Sequence, residues 1–223
     1  MIKKIINKIR ELGFAKSESY KIHKKGSLIN AFYESKIIFI HIPKTAGVSI
    51  LKSIFGDVTL EGHRSVRFYK EIFNRKYSDF FTFTIVRNPW DRLYSSYKFL
   101  EKGGINIHDK NAFKIHLFVY KDFEDFVING LNKKIIWEIT HFMPQYDFVC
   151  DKNGKIMIDY VGRFEDLNKS FSEISHILKL DFKLDHHNKN DKKNYQDVYT
   201  SEMIEKVAQI YKKDIDIFEY SFK

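Results

Sequence analysis

The run Ser35-Lys36-Ile37-Ile38-Phe39-Ile40-His41-Ile42-Pro43-Lys44-Thr45-Ala46-Gly47-Val48-Ser49 decides how the rest of the chain is read. Ile37 to Ile42 is apolar and rich in β-branched residues, the pattern of a strand buried on both faces. Pro43 has no N–H to donate and ends the ladder. A short polar turn follows, in which Gly47 is expected to take a dihedral that other residues adopt only at a cost. Ser49-Ile50-Leu51-Lys52-Ser53-Ile54-Phe55 then resumes with helical spacing, and Gly56 stops it. Strand, small-residue loop and helix in this order aim backbone N–H groups and a helix N-terminus at one point, which suits an anion. Lys44 adds a mobile positive charge. A plain strand–turn–helix connection with a solvated lysine has the same pattern, so this stretch alone leaves both readings open. The spacing of a Walker A loop is absent.

A second stretch repeats the arrangement: Phe81-Thr82-Phe83-Thr84-Ile85-Val86-Arg87-Asn88-Pro89-Trp90-Asp91-Arg92-Leu93-Tyr94-Ser95-Ser96-Tyr97. An apolar strand ends in Arg87, Asn88-Pro89 opens a helix, and Ser95 lies on that helix's second turn. The carboxyl ends of strands in open α/β sheets are where ligands bind. A third apolar run, Ile156 to Val161, leads into Gly162-Arg163-Phe164-Glu165 and another helical pattern. Three such runs predict a mostly parallel sheet with strands near 37–42, 82–86 and 157–161.

Together, Ile-Pro-Lys-Thr-Ala-Gly-Val-Ser (42–49) and Val-Arg-Asn-Pro-Trp-Asp-Arg-Leu-Tyr-Ser (86–95) resemble the two nucleotide-binding motifs of sulfotransferases. The match is to carbohydrate sulfotransferases related to the heparan 2-O- and chondroitin enzymes, and to their bacterial relatives. The resemblance implies a three-layer α/β fold with a mostly parallel sheet and a P-loop-like nucleotide-binding core. It implies that Lys44, Thr45, Ala46, Gly47, Val48 and Ser49 hold the 5′-phosphosulfate of 3′-phosphoadenosine 5′-phosphosulfate (PAPS), and that Arg87 and Ser95 hold its 3′-phosphate. Val48 departs from the hydroxyl residue of many relatives, but the backbone donors remain. No metal is implied.

The implied chemistry makes its own demands on residue type. Charge grows on the phosphate that leaves as the sulfuryl group moves, as in phosphoryl transfer. Lys44 and converging N–H groups stabilise that charge more in the transition state than before it. The attacking hydroxyl needs a base that works near neutral pH, and histidine suits. Gly62-His63 falls between the two motifs, where the resembled family places a Gly-His pair whose histidine is the base, so His63 is the candidate. A lone histidine at such a junction is otherwise structural or exposed. Lys189 and Lys192, in the polar loop 186–195, correspond to a family loop near the nucleotide and are assigned to the 3′-phosphate. His186, His187 and Asp191 in that loop lack metal-ligand spacing. His141, Gln145 and Tyr146, in a polar–aromatic segment, and Arg163 are the candidate acceptor contacts. Phe123 and Phe126 read as core.

The composition bounds these readings. The chain of 223 residues is long enough for one α/β domain, taken here as residues 1–223, with an N-terminal helix and connection over 1–34 and a catalytic core over 35–223. A formal net charge of +9 suits an acidic partner of any kind. One cysteine, Cys150, excludes an intrachain disulfide and suits a reducing compartment. No run approaches the roughly 18 apolar residues of a membrane span. Ile2, Ile5, Ile6, Ile9 and Leu12 share one helical face with basic residues elsewhere, a helix that either packs on its own domain or lies on a membrane. Asn7 and Lys8 break the apolar core a signal peptide would need. Eukaryotic members of the resembled family carry an anchor, so a cytoplasmic, bacterial enzyme is expected, with membrane contact open through residues 1–12. Two other classes compete: a P-loop-type kinase or NTPase, and a basic nucleic-acid-binding protein, for which no recognition motif is present.

Overall fold

The computed structural model describes residues 2–59, 62–180 and 194–222. In chain order the regular elements are α1 (Ile2–Glu18), α2 (Leu28–Ser35), β1 (Ile37–Phe39), α3 (Gly47–Phe55), α4 (Val66–Phe73), β2 (Phe81–Val86), α5 (Pro89–Glu101), α6 (Ile107–His116), α7 (Phe123–Asp125), α8 (Tyr146–Val149), β3 (Tyr160–Arg163), α9 (Leu167–Leu178), α10 (Ser201–Ile210) and α11 (Lys212–Phe218). The described residues fall into two units, one within Met1–Val86 and Gln145–Lys189, the other within Arg87–Pro144 and Asn190–Lys223.

The first unit carries the sheet. Among the described residues three strands pair in the order β1-β2-β3, all parallel, with Ile37 opposite Phe81, Phe83 opposite Tyr160 and Val86 opposite Arg163. The three apolar runs are thus the three parallel strands, in a mixed α/β fold that is mostly helical. β1 is buried throughout, as an apolar run without alternation requires. Ile40 N–H still donates to the Phe83 carbonyl before Pro43 stops the pairing. β3 starts later than its apolar run. The Asp159 carboxylate accepts from both the N–H and the hydroxyl of Thr82, at 2.8 and 2.7 Å, so a side chain takes the place of a ladder bond.

The connection expected between the N-terminal helix and the core, within residues 1–34, is mostly helical. α1 runs on to Glu18, with Ala15 buried and Phe14 stacked on Phe68 at 6.1 Å. Ser27 caps α2 by accepting the Asn30 N–H at 3.1 Å, and Leu28, Ile29 and Phe32 form its buried face. A cap serine followed by apolar residues at that spacing was a legible signal. Ser27 and Thr59 form an isolated parallel bridge.

α1 docks through polar side chains. Asp147, only 4 % exposed, accepts from Lys4 at 3.1 Å, Lys8 at 3.4 Å and Arg67 at 3.0 Å. Lys4 also reaches the Tyr146 hydroxyl at 3.0 Å. Burial pulls the Lys4 ammonium down, but these partners outweigh it and its pKa is raised. Glu11 accepts from the N–H and hydroxyl of Ser65, both at 2.8 Å. It thereby caps α4 from outside and sets a carboxylate at the positive end of that helix.

The second unit is built on α5, whose N-terminus forms as the sequence predicts. Asn88 accepts the Trp90 N–H at 3.1 Å and Pro89 occupies the first turn. Trp90, Leu93, Tyr97 and Leu100 pack with Phe123, Phe126, Phe142 and Tyr211 in one core. Phe123 and Phe126 are core, as read, and of the C-terminal aromatics Phe222 meets Trp90 edge-on at 5.6 Å.

Two substitutions separate the docking of α1 from its apolar stripe. Asp147→Asn leaves three clustered cations without their buried counter-charge, and unfolding in guanidinium should show a loss of about 3 kcal/mol. Ile9→Ala, at a position 65 % exposed, should change stability by less than about 0.5 kcal/mol. The reverse ranking would mean that the isoleucine stripe, not the charge cluster, holds the helix.

Candidate active site

The loop between β1 and α3 departs from ordinary geometry at two places. Lys44 and Ala46 both have positive φ, 68° and 63°, and neither is glycine. Left-handed residues alternating with right-handed ones turn successive N–H groups toward one concavity, which suits an anion. Residues held in such conformations concentrate at functional sites. Thr45 is fully buried and its hydroxyl donates to the Ile42 carbonyl at 2.9 Å, closing the turn. α3 begins at Gly47, two residues earlier than its apolar spacing indicates, so its positive end lies at the loop. Val48 is exposed and Ser49 half-buried on the first turn.

Gly47 is needed for a reason other than the expected one. Its φ is not positive; the left-handed positions are its neighbours. A Cβ at Gly47 would lie 1.9 Å from Cδ2 and 2.2 Å from Nε2 of His41. The loop backbone therefore passes directly over the His41 ring. That ring is not free to swing aside: it is buried, stacked on Phe39 at 5.8 Å, and met edge-on by His63 at 4.3 Å.

His63 is thereby brought to the same place. Gly62, with φ of 76°, makes the turn that admits it. Nδ1 of His63 lies 3.0 Å from the backbone oxygen of His41. A carbonyl only accepts, so Nδ1 carries the proton, and in the neutral ring the lone pair sits on Nε2. A histidine held in this tautomer is set up to take a proton through Nε2. Two residues on, Ser65 is gripped by Glu11, which fixes the start of α4 and the approach to His63. Gly47 of the 45–49 turn and His63 therefore meet on one residue, His41, in the first unit. Tyr146 and Arg163, also in this unit, are half-buried; the Tyr146 ring lies under the Lys4 ammonium, at 4.8 Å from its centroid. Gln145 is fully buried, with 0 % exposure. The Arg163 backbone brackets the Ser170 hydroxyl, at 2.9 Å from its N–H and 3.2 Å from its carbonyl.

In the second unit, Arg87 directly follows β2 and is almost fully buried. Its guanidinium is oriented by Asp91 through two 2.7 Å bonds, from Nε and Nη2, which leaves Nη1 outside the fork. Ser95 is half-buried on α5. Arg92 is buried, and desolvation lowers its pKa. It donates to the carbonyls of His141 at 3.1 Å and Met143 at 2.7 Å, while Ser96 also donates to His141 O at 3.0 Å and Tyr211 to Phe142 O at 2.7 Å. His141 is thus held by its backbone, with Nδ1 3.7 Å from Asp109. Lys189, Lys192, His186, His187 and Asp191 lie outside the described residues. Among the described residues no three His, Cys, Asp or Glu side chains converge in a way that would hold a metal ion.

Sequence reasoning missed His41, Glu11, Asp91 and Arg92. The i, i+4 spacing of Arg87 and Asp91 on a helix start was a usable signal for one of them. A histidine inside an apolar strand and an arginine inside a helix carry no such mark.

The model of the family described as "Sulfotransferase family" matches residues 29–221. No curated protein and no solved structure matches the chain.

If His41 is what excludes a side chain at 47, the two positions must be coupled. Gly47→Ala alone should lower unfolding free energy by about 1–3 kcal/mol, as overpacking does. In a His41→Ala background most of that loss should vanish. An unchanged loss in the double-mutant cycle would assign the glycine to some other constraint.

Proposed function

Because the chain belongs to the sulfotransferase family, we propose that it transfers the sulfuryl group of PAPS to a hydroxyl of a carbohydrate or glycoconjugate, in line, with His63 as base. The single observation that carries this reading is the β1–α3 loop. Two non-glycine residues in left-handed conformation lead into a helix N-terminus, and one of them is Lys44. Such a cradle fits a phosphosulfate. Bound there, PAPS supplies an already activated sulfuryl group, so the chain's task is to bind, to orient and to move one proton. Lys44 and the N–H groups of 45–49 stabilise charge on the leaving phosphate. Arg87, oriented by Asp91, and Ser95 are assigned to the 3′-phosphate, where a planar guanidinium is well suited. Lys189 and Lys192 are assigned there too. His63 takes the acceptor's proton on Nε2 while Nδ1 remains on the His41 carbonyl. His141, Gln145, Tyr146 and Arg163 are the proposed acceptor contacts. The acceptor class rests on the paired motifs at 42–49 and 86–95.

Two measurements test the assignment. Adenosine 3′,5′-bisphosphate at about 100 times its dissociation constant, in EDTA, should stabilise the protein by roughly 2.7 kcal/mol. For a chain of this size the melting temperature should rise by about 5–10 °C. AMP and ATP should raise it much less, and Arg87→Ala should erase most of the difference. Equal shifts with AMP, or a shift only with magnesium and ATP, would favour a kinase instead. Separately, His63→Ala should lower the transfer rate by about 10²–10⁴-fold, the usual range for an acid–base group, with bisphosphate affinity unchanged. A variant keeping more than about a tenth of the rate would remove His63 from the base role.

A further inference from the structure

Helix α1 is turned inside out relative to an ordinary surface helix. At about 100° per residue, Lys4, Lys8, Glu11 and Ala15 share one side, and that is the side docked on the first unit. Ile5, Ile6, Ile9 and Leu12 fall on the opposite side and are exposed, Ile5 by 53 % and Ile9 by 65 %. An amphipathic helix on a globular domain normally buries its apolar stripe and shows its charges. Here the charges are spent on Asp147 and Ser65 and the stripe faces out.

The charges left on the outward side have one sign. Lys3 and Arg10 are exposed along one flank of the stripe. The two acids of the helix are engaged elsewhere, Glu11 with Ser65 and Glu18 with Lys21. The chain as a whole carries +9. Among the described residues no helix is long and apolar enough to cross a membrane. A second copy of the chain laid on the stripe would bring like charges together. We propose that α1 lies on an anionic lipid bilayer, with Ile5, Ile6, Ile9 and Leu12 in the acyl boundary and Lys3 and Arg10 among the headgroups. Apolar insertion plus cationic contact is how such helices bind, and each basic residue near the surface contributes in its own right. The docking through Asp147 holds the helix in place, so its ordering is complete before contact. The surface is independent of the sulfuryl-transfer reading.

The test is co-sedimentation of the full chain with vesicles of phosphatidylcholine containing phosphatidylserine, beside vesicles of phosphatidylcholine alone. Binding to the anionic vesicles should exceed binding to the neutral ones and fall with salt. Ile5→Asp/Ile9→Asp should weaken it by more than about tenfold. Lys3→Gln/Arg10→Gln, which leaves the stripe intact, should weaken it by about fivefold for each charge removed. Both variants should melt like the wild type, since all four side chains are exposed; if the aspartate variant does not fold, the glutamine variant decides. Equal binding to both vesicle types, no binding, or a wild-type dimer in sedimentation velocity that Ile5→Asp/Ile9→Asp converts to monomer would each overturn the proposal.

Discussion

The ring of His41 sets the geometry on which the candidate site depends. It fills the space where residue 47 would carry a side chain, so the loop between β1 and α3 can pass over it only as glycine. Its backbone oxygen fixes the tautomer of His63, and its ring edge fixes where His63 packs. One buried imidazole thus ties the β1–α3 loop to His63. The other constraints in the first unit support it. The parallel pairing of β1 and β2 holds the strand from which His41 extends, and Glu11 holds the turn that follows His63. The strained dihedrals of Lys44 and Ala46 persist because their surroundings over-determine them.

The second unit depends on a different device. Arg92 is a charge buried among apolar residues, and burying such a group is costly unless it is hydrogen-bonded. Its Nη1 and Nη2 reach backbone carbonyls while Nε is left without a partner among the described residues, and with Ser96 and Tyr211 it holds residues 141–143 against α5. The neighbouring Arg87 uses the same chemistry on a carboxylate, and Asp91 sets its orientation. Two arginines five residues apart are therefore held differently, one on backbone carbonyls and one on a carboxylate.

The sheet was legible in the sequence because three apolar runs, each followed by a helical pattern, are the trace that parallel strands of an α/β fold leave. β1 and β2 fall within such runs, β3 overlaps the end of its run and extends past it to Arg163, and the caps at Asn88 and Gly56 mark helix ends as composition suggests. What could not be read had the opposite property: its cause lies far away in the chain. Asp159 displaces a ladder bond only because Thr82 stands opposite it. His41 is decisive only because Gly47 and His63 converge on it. The orientation of α1 defeats the rule that apolar stripes face inward, since Asp147, some 140 residues later, draws Lys4 and Lys8 toward the protein. His63, chosen from a motif resemblance, lies against the same His41 that Gly47 crosses; Arg87 is almost fully buried.

The central claim is sulfuryl transfer to a sugar hydroxyl. The most direct measurement is incubation of the protein with PAPS carrying radiolabelled sulfur and a panel of glycans, in EDTA, followed by mass analysis of the acceptors. The account predicts label on at least one glycan as a single added sulfate ester, with adenosine 3′,5′-bisphosphate formed in equal amount. Transfer of phosphate from ATP under magnesium, with no label leaving PAPS for any hydroxyl acceptor, would contradict it.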